Sequence, residues 1–205
     1  SVSVQTVPGG EAPEYDTDAM DILLRSRENY LQFLCSNHLP VGQSLAVLLL
    51  YGYAVQQELD FGDPAVFSPE SALETARQMA VPGDLPGILE FYLGLEILTP
   101  QWQQRLQEPV AHGPWPEACR PLVRYFIDRY WLQAVSDYDL VCRVKLAVAS
   151  CLVVKALGGN VIETAQLYSK EIENDADNVE AILDGAYTAP ALTDKNLLLL
   201  LVKEQ

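Results

Sequence analysis

Apolar residues recur along most of this chain at the three- and four-residue intervals that place them on one face of an α-helix. The clearest case runs from Glu117 to Val135, and its apolar stripe consists of Leu122, Val123, Phe126, Ile127, Tyr130, Trp131 and Ala134. No stretch shows the sustained alternation of apolar and polar residues that is typical of a half-buried strand. The pattern predicts an all-α domain of about eight to ten helices.

Helix boundaries in the first half of the chain follow from capping residues and from breaks at Gly and Pro. The predicted helices cover residues 16–37, 41–59, 69–80, 85–98 and 100–108. Ser68 and Thr99 are predicted N-caps, because each is followed by a proline at the first helical position. Gly87 and Gly94 weaken the fourth helix, since glycine is a poor helix former.

The segment "LVCRVKLAVASCLVVKAL", residues 140–157, is apolar on almost every side. Its polar exceptions are Arg143, Lys145 and Lys155. The preceding "SDYD" is predicted to cap its start, and two glycines follow its end. A helix that is apolar all round is buried, so this one is predicted to form the centre of the domain.

The segment "YSKEIENDADNVEAILDGAY", residues 168–187, combines helical periodicity with many acids. It is predicted to form a helix, a turn and a second helix packed on the central one, followed by a last helix through Val202. Residues 1–15 are predicted to be a mobile lead-in, and 16–205 to form the helical domain. The Pro-rich stretch 109–121 is where a sub-boundary would lie.

Charge narrows the choice of partner. The chain has 28 Asp and Glu against 13 Lys and Arg, which gives a formal net charge of -15. Such a surface repels phosphate backbones, so no nucleic-acid partner is predicted. Acidic surfaces attract cationic partners, and basic protein segments are therefore favoured. The alternative, that the acids only keep a helical protein in solution, stays open.

The apolar runs are short. The longest ones, 45–55 and 197–202, fall below the roughly twenty residues that a membrane-spanning helix needs. Residues 1–19 contain neither the basic region nor the apolar core of a signal peptide. The sequence therefore predicts a cytoplasmic location and no membrane association. Because the sequence starts at Ser1 rather than Met, missing upstream sequence stays open.

Motifs for common cofactors and hydrolases are absent from the sequence, including Gly-rich phosphate loops, the nucleophile elbow and the HExxH zinc motif. The four cysteines show no C-x-x-C spacing and are predicted to be buried thiols; they are Cys35, Cys119, Cys142 and Cys151. His38 and His112 stand beside Pro or Gly and are predicted to be surface residues. No metal site is predicted within the chain.

Two groups of residues could carry chemistry. Glu171 and Asp175 are four residues apart, and Glu163 and Glu173 lie along the same predicted helix. A solvated acidic face is favoured over acid–base catalysis for these carboxylates. The second group is aromatic, and it could line a pocket for an adenine ring or a peptide, although core packing is favoured. Its members are Trp102, Trp115, Tyr125, Phe126, Tyr130 and Trp131.

Three stretches carry a family resemblance: "LVRYFIDRYWLQAVSDYDLVCRVKLAVASCLVVKAL", "ETAQLYSKEIENDADNVEAIL" and, upstream, "ILLRSRENYLQFLCSNHLPVGQSLAVLLL". Together they resemble the helical C-terminal part of the flagellin lysine-N-methylase family, over roughly residues 20–184. The family has an aromatic helix, an acidic "YD" turn, a long apolar helix and a "YSRE-x-EH-x-x-x-N" segment. The matching positions here are Tyr168, Ser169, Lys170, Glu171, Glu173, Asn174 and Asn178.

The resemblance implies methyl transfer from S-adenosylmethionine to lysine ε-amines of flagellin or a similar lysine-bearing protein. Tyr168, Glu171 and Glu173 are then the candidate catalytic residues, as groups that could orient or deprotonate the lysine. Two features depart from the family. Its N-terminal cysteine-rich segment has no counterpart here, and Asn174 replaces its usual histidine. The alternative is an acidic helical module for protein interaction or structure, without catalysis of its own.

Overall fold

The computed structural model describes residues 16–78 and 82–203, and these residues form ten α-helices with no strand among them. The helices are α1 (Thr17–Ser36), α2 (Val41–Phe61), α3 (Pro69–Arg77), α4 (Leu85–Leu93), α5 (Pro100–Gln107), α6 (Cys119–Tyr130), α7 (Val141–Leu157), α8 (Val161–Tyr168), α9 (Ala176–Thr188) and α10 (Asp194–Val202). The predicted all-α fold is confirmed. The lead-in predicted to be mobile, 1–15, lies outside the described residues.

Side-chain caps start several of these helices. The side chains of Asp16, Ser68 and Thr99 accept hydrogen bonds from backbone N–H groups in the first turns of α1, α3 and α5. Each bond satisfies one of the N–H groups that a helix start leaves without a partner. The caps predicted at Ser68 and Thr99 are therefore confirmed.

The helix α7 is the centre of the fold. Every residue from Val141 to Val154 is buried, and α2, α6, α8 and α9 all pack against it. This confirms the buried central helix predicted from its apolar sequence. Although α2 and α7 are strongly apolar, no helix in the two described stretches has both the length and the apolar character needed to cross a membrane.

Two cations of α7 are buried along with its apolar residues. The Lys145 ammonium donates to the carbonyl oxygens of Ala186 at 2.8 Å and Leu192 at 3.0 Å, and it lies 2.8 Å from a carboxylate oxygen of Asp194. A buried charge is tolerated when it is paired and hydrogen-bonded in this way. Lys145 thus ties the end of α9 and the start of α10 to the central helix.

The "SDYD" turn does more than cap α7. One carboxylate oxygen of Asp139 accepts from the backbone N–H of Cys142 at 3.2 Å, as a capping residue does. The Asp137 carboxylate instead contacts both terminal nitrogens of Arg143, at 2.7 and 3.1 Å. Between them, Tyr138 adopts a left-handed backbone conformation with φ of 60°. This turn therefore fixes an arginine as well as a helix start.

Three predicted helix ends differ from the structure, and one of them, Ala80, lies outside the described residues. The helix predicted over 85–98 ends at Leu93, and the chain then runs as a loop to Thr99. The helix predicted to reach Val135 changes after Tyr130 into a 3₁₀ turn. The helix predicted to reach Ala80 ends at Arg77, and residues 79–81 lie outside the described part of the chain.

The Pro-rich stretch 109–121 is tied to helices on both sides of it. The backbone N–H of Ala111 donates to the Ala156 carbonyl at 2.8 Å. The Arg120 guanidinium donates to the carbonyl oxygens of Leu34 at 3.2 Å and Leu39 at 2.8 Å. These bonds connect the stretch to α7 and to the end of α1.

Candidate functional site

Tyr168 is a core residue. Its side chain is fully buried, and its hydroxyl lies 2.8 Å from the hydroxyl of Tyr92 and 2.6 Å from that of Ser150. Burial raises the pKa of Tyr168 well above its usual value, which keeps the phenol protonated. The residue therefore links α4, α7 and α8 through a buried hydroxyl chain.

Glu171 is a buried clamp on the loop between α4 and α5. Its carboxylate accepts a hydrogen bond from the backbone N–H of Leu98 at 3.0 Å and a short one from the Thr99 hydroxyl. The residue is 1% exposed. These bonds satisfy a carboxylate that burial would otherwise penalise, and they hold the loop beside α5.

Asn178 holds the same loop between α4 and α5 at Glu96, which precedes the residues held by Glu171. Its side-chain oxygen accepts from the backbone N–H of Glu96 at 2.9 Å, and its side-chain nitrogen donates to the Glu96 carbonyl at 2.9 Å. The same nitrogen donates to the Glu171 carbonyl at 3.1 Å. Asn178 and Glu171, both positions of the family motif, therefore act together on residues 96–99.

The turn that carries the motif is π-helical. The backbone N–H of Asn174 donates to the Ser169 carbonyl at 3.0 Å, one residue further back than in an α-helix. The three consecutive residues 171–173 are all buried there. The predicted solvated acidic face is wrong for Glu171 and Glu173, because the loop before α5 covers the first and α6 covers the second.

Glu173 sits in a cluster of phenol and guanidinium groups from α6. Its carboxylate accepts from the hydroxyl of Tyr130 at 2.8 Å and from that of Tyr125 at 3.0 Å. The Arg129 guanidinium lies 3.0 Å from the same carboxylate. We call these four residues the Glu173 cluster. Arg129, rather than the exposed neighbouring residue Lys170, is therefore the cation paired with Glu173.

The electrostatics of the Glu173 cluster keep its phenols protonated. Burial, followed by the hydrogen bond to Glu173, raises the pKa of Tyr130. Burial and the nearby Glu173 charge likewise raise the pKa of Tyr125. The hydrogen bond from Arg129 to Tyr130 raises the pKa of the guanidinium. The cluster is therefore a carboxylate surrounded by donors, one of which is a permanent cation.

A groove of about 640 Å³ opens beside the Glu173 cluster, between the end of α6, the start of α7 and one face of α9. We call it the acidic groove. Its charged lining consists of Asp137, Asp139, Glu173, Glu180, Asp184, Arg129 and Arg143. Half-buried Val179 and Leu183 provide an apolar floor, and Tyr187, 60% exposed, stands at its edge. Both arginines are paired with carboxylates of the groove itself.

The aromatic residues singled out from the sequence are mostly core. Trp102, Phe126, Tyr130 and Trp131 are buried, which confirms the packing interpretation for them. Trp102 and Phe126 both pack edge-on against the Tyr168 ring, at centroid distances of 6.0 Å. Tyr125 is 40% exposed, and it lines a shallow apolar groove of about 330 Å³ between α6 and α8.

The remaining candidates occupy surface and core positions. His38 and His112 are exposed, as predicted. Cys119, Cys142 and Cys151 are buried as predicted, whereas Cys35 is exposed. The carboxylates of Glu96, Asp175 and Asp177 come within 4.8 Å of one another. Asp175 serves there as the N-cap of α9, and the absence of a metal site stays a prediction.

Other motif positions lie nearer the surface. Ser169 is half-buried and lines the shallow groove between α6 and α8, whereas Lys170 and Asn174 are exposed. Asn174, which replaces the family histidine, closes the π-helical turn with its backbone. On the exposed face of α6, Arg124 and Asp128 form an ion pair at 3.4 Å.

Sequence reasoning missed the partners of Glu173. Tyr125 and Arg129 are four residues apart on α6, a spacing that puts them on one helix face. This spacing gives no sign that the face meets a glutamate more than forty residues further along the chain. The grouping of the groove carboxylates had no sequence signal either, because they come from three separate elements.

No family model matches the chain, and neither a curated protein nor a solved structure matches it. The resemblance to the flagellin lysine-N-methylase family therefore stays a prediction, together with the methyl donor and the flagellin substrate that it implies. What the geometry brings together is a set of motif residues engaged in packing and, beside them, an acidic groove that contains Glu173.

Proposed function

We propose that this chain is an acidic helical recognition module, which binds a lysine-bearing segment of another protein in the acidic groove. One observation carries the proposal: five carboxylates line the groove against two guanidinium groups, and both guanidinium groups are already paired. The surplus negative charge favours a cationic ligand and speeds its encounter with the groove.

The shape of the groove suits a lysine side chain in particular. A lysine has a long aliphatic stem and a compact ammonium head, and it buries the stem while the head stays near polar groups. The floor of Val179 and Leu183 can cover such a stem. Glu180 and Asp184, both exposed on α9, then stand where the ammonium could be paired.

The family resemblance adds a biological setting to this proposal. The lysine-bearing segment would belong to flagellin or a similar cytoplasmic substrate, and a catalytic part outside this chain would transfer the methyl group from S-adenosylmethionine. The polar groups of Tyr168 and Glu171 are engaged in core hydrogen bonds. This argues against a catalytic role for these two residues and supports a recognition module. Of the three candidates, Glu173 alone reaches the groove.

Calorimetric titration with S-adenosylmethionine separates recognition from catalysis. We expect no saturable binding at millimolar ligand, because the candidate catalytic residues Tyr168 and Glu171 are engaged in core hydrogen bonds rather than lining a cofactor pocket. Saturable one-to-one binding would place the cofactor site in this chain and favour the methyltransferase interpretation. S-adenosylhomocysteine, the product of methyl transfer, is titrated in the same way as a second ligand.

Peptide binding tests the proposal itself. Fluorescence anisotropy would follow a labelled Lys/Ala peptide, with a norleucine/Ala peptide of equal length as the neutral control. We expect the lysine peptide to bind and its affinity to fall as salt is added, because added ions screen exposed charges. The double variant Glu180→Gln/Asp184→Asn should weaken binding about fivefold, as expected for the loss of two exposed charge pairs.

A matched control removes the same charge elsewhere. Glu70 and Glu74 lie on α3, which forms no part of the acidic groove. The variant Glu70→Gln/Glu74→Gln should therefore leave the affinity close to that of the original chain. Equal losses in both double variants would show that the net charge alone attracts the peptide, and the proposed function would then be wrong.

A further inference from the structure

We infer that Arg129 is an internal competitor for the groove's ligand: in the free chain its guanidinium occupies the cation position at Glu173 that an incoming lysine takes. The inference rests on the proposed function, since it concerns the same groove. It adds a specificity-determining residue, and it says that this residue weakens the binding of the ligand to the free chain. Neither point follows from the groove's charge.

The Glu173 cluster is built to hold a cation. The Arg129 Nε atom lies 3.0 Å from the Glu173 carboxylate and donates to the Tyr130 hydroxyl at 3.2 Å. The guanidinium carbon also lies 5.6 Å from the centre of the Tyr130 ring, within the range of a cation–π interaction. A carboxylate, a phenol oxygen and an aromatic face therefore converge on one positive charge.

The two partners of this ion pair differ in how firmly they are held. The Glu173 side chain is 2% exposed, whereas the Arg129 side chain is 45% exposed. Tyr125 and Tyr130 donate to the carboxylate independently of the arginine, so Glu173 keeps hydrogen bonds when the guanidinium leaves. The guanidinium can turn into solvent, and the carboxylate stays in place for another cation.

The second arginine of the groove shows the opposite arrangement. Arg143 is 8% exposed at its side chain, contacts both oxygens of Asp137 and donates to the Asp139 carbonyl at 2.6 Å. Its guanidinium is itself buried and is held by three hydrogen bonds to the turn before α7. Arg143 is therefore a fixed part of the groove wall, and Arg129 is the cation that can exchange.

Exchange lowers the apparent affinity in a predictable way. A ligand that needs an open Glu173 binds only the fraction of molecules in which Arg129 has moved away, so its apparent dissociation constant rises by the inverse of that fraction. Lysine is the suited replacement because its ammonium can donate to the carboxylate and face the Tyr130 ring as the guanidinium does. Removing Arg129 should therefore tighten lysine binding.

Three variants test the inference with the same labelled Lys/Ala peptide. Arg129→Ala opens Glu173 and should lower the dissociation constant about fivefold, a typical effect for removing a competing exposed ion pair. Arg129→Lys keeps a competing cation and should stay near the original affinity. Arg124→Ala is the matched control, because Arg124 is an exposed arginine on α6 that pairs with Asp128 rather than Glu173.

The outcomes separate this inference from the proposed function. If Arg129→Ala binds the peptide more tightly and Arg124→Ala does not, the competitor role and the proposed function are both supported. The same holds if the original chain binds too weakly to detect and only Arg129→Ala shows binding. Equal tightening in the two alanine variants, or unchanged or weaker binding by Arg129→Ala while the original chain binds, overturns the competitor role alone. Failure of all variants and of the original chain to bind the peptide overturns both. Thermal melting of each variant checks that it is folded.

Discussion

Glu171 and Glu173 lie two residues apart in one π-helical turn and have different surroundings. Glu171 faces the loop before α5 and is held by a backbone N–H and a hydroxyl. Glu173 faces α6, where two phenols and a guanidinium surround it. At the scale of single residues, the first stabilises the fold and the second joins the fold to the acidic groove.

Substitution of Glu171 tests its structural role. Glu171→Ala removes two hydrogen bonds to a charged acceptor and leaves the Leu98 N–H without its partner, so the free energy of unfolding should fall by about 2–4 kcal/mol. Urea denaturation measures the loss. Lys170→Ala, an exposed neighbour in the same turn, should change it by less than about 0.5 kcal/mol. Equal effects of the two substitutions would contradict the clamp role.

Thiol reactivity tests the burial of the cysteines. Burial raises the pKa of Cys119 to about 11 and that of Cys142 to about 12, while Cys35 is exposed. Because the thiolate is the reactive form, iodoacetamide at neutral pH should modify Cys35 in the native chain and all 4 cysteines after unfolding. Mass spectrometry of peptides gives the pattern. Rapid native modification of Cys142 would contradict it.

The raised pKa values of Cys119 and Cys142 also predict how the stability of the fold changes at alkaline pH. Their pKa values are raised on folding, so the unfolded chain loses their protons first. Their contribution to stability is fully present below the unfolded thiol pKa of about 8.5 and is lost as pH rises from there toward the folded values.

At the scale of elements, the fold depends on close packing around α7. Gly52 of α2 lies against Val144, and a Cβ atom at Gly52 would come within 2.9 Å of a Val144 methyl carbon. The two helices therefore pack closely at this point because one of them has no side chain there.

Substitution at this crossing should be costly. Gly52→Ala forces α2 and α7 apart or displaces Val144, and the free energy of unfolding should fall by about 1–3 kcal/mol. Gly94→Ala is the matched control, since Gly94 is exposed and has an ordinary helical conformation at the end of α4. Thermal and urea denaturation compare the two. A neutral Gly52→Ala would show that the helices do not pack as closely as described.

The sequence predicted elements well where periodicity and caps act locally. The starts of α3 and α5 follow from Ser68 and Thr99, and the burial of α7 follows from its apolar run. The end of α4 could not be predicted, because the loop after it is held by Glu171 and Asn178 from a distant segment. Burial of the acidic turn depended on the same long-range contacts.

At the scale of the whole molecule, the net charge of -15 does not by itself define a site. Its concentration in one groove is a property of the fold, because the groove acids come from the "SDYD" turn, the π-helical turn and α9. The sequence could therefore predict an acidic protein that favours basic partners. It could not predict the groove, since no local pattern connects these three segments.

The location of the bound peptide is the most direct test of the account. Nuclear magnetic resonance spectra of the ¹⁵N-labelled chain, recorded as the Lys/Ala peptide is added, would report which backbone amides change. We predict the largest and saturable changes at residues 129–143 and 173–187, which surround the acidic groove. Changes centred on α1 and α3, or spread evenly over the acidic surface, would contradict the assignment of this groove as the binding site.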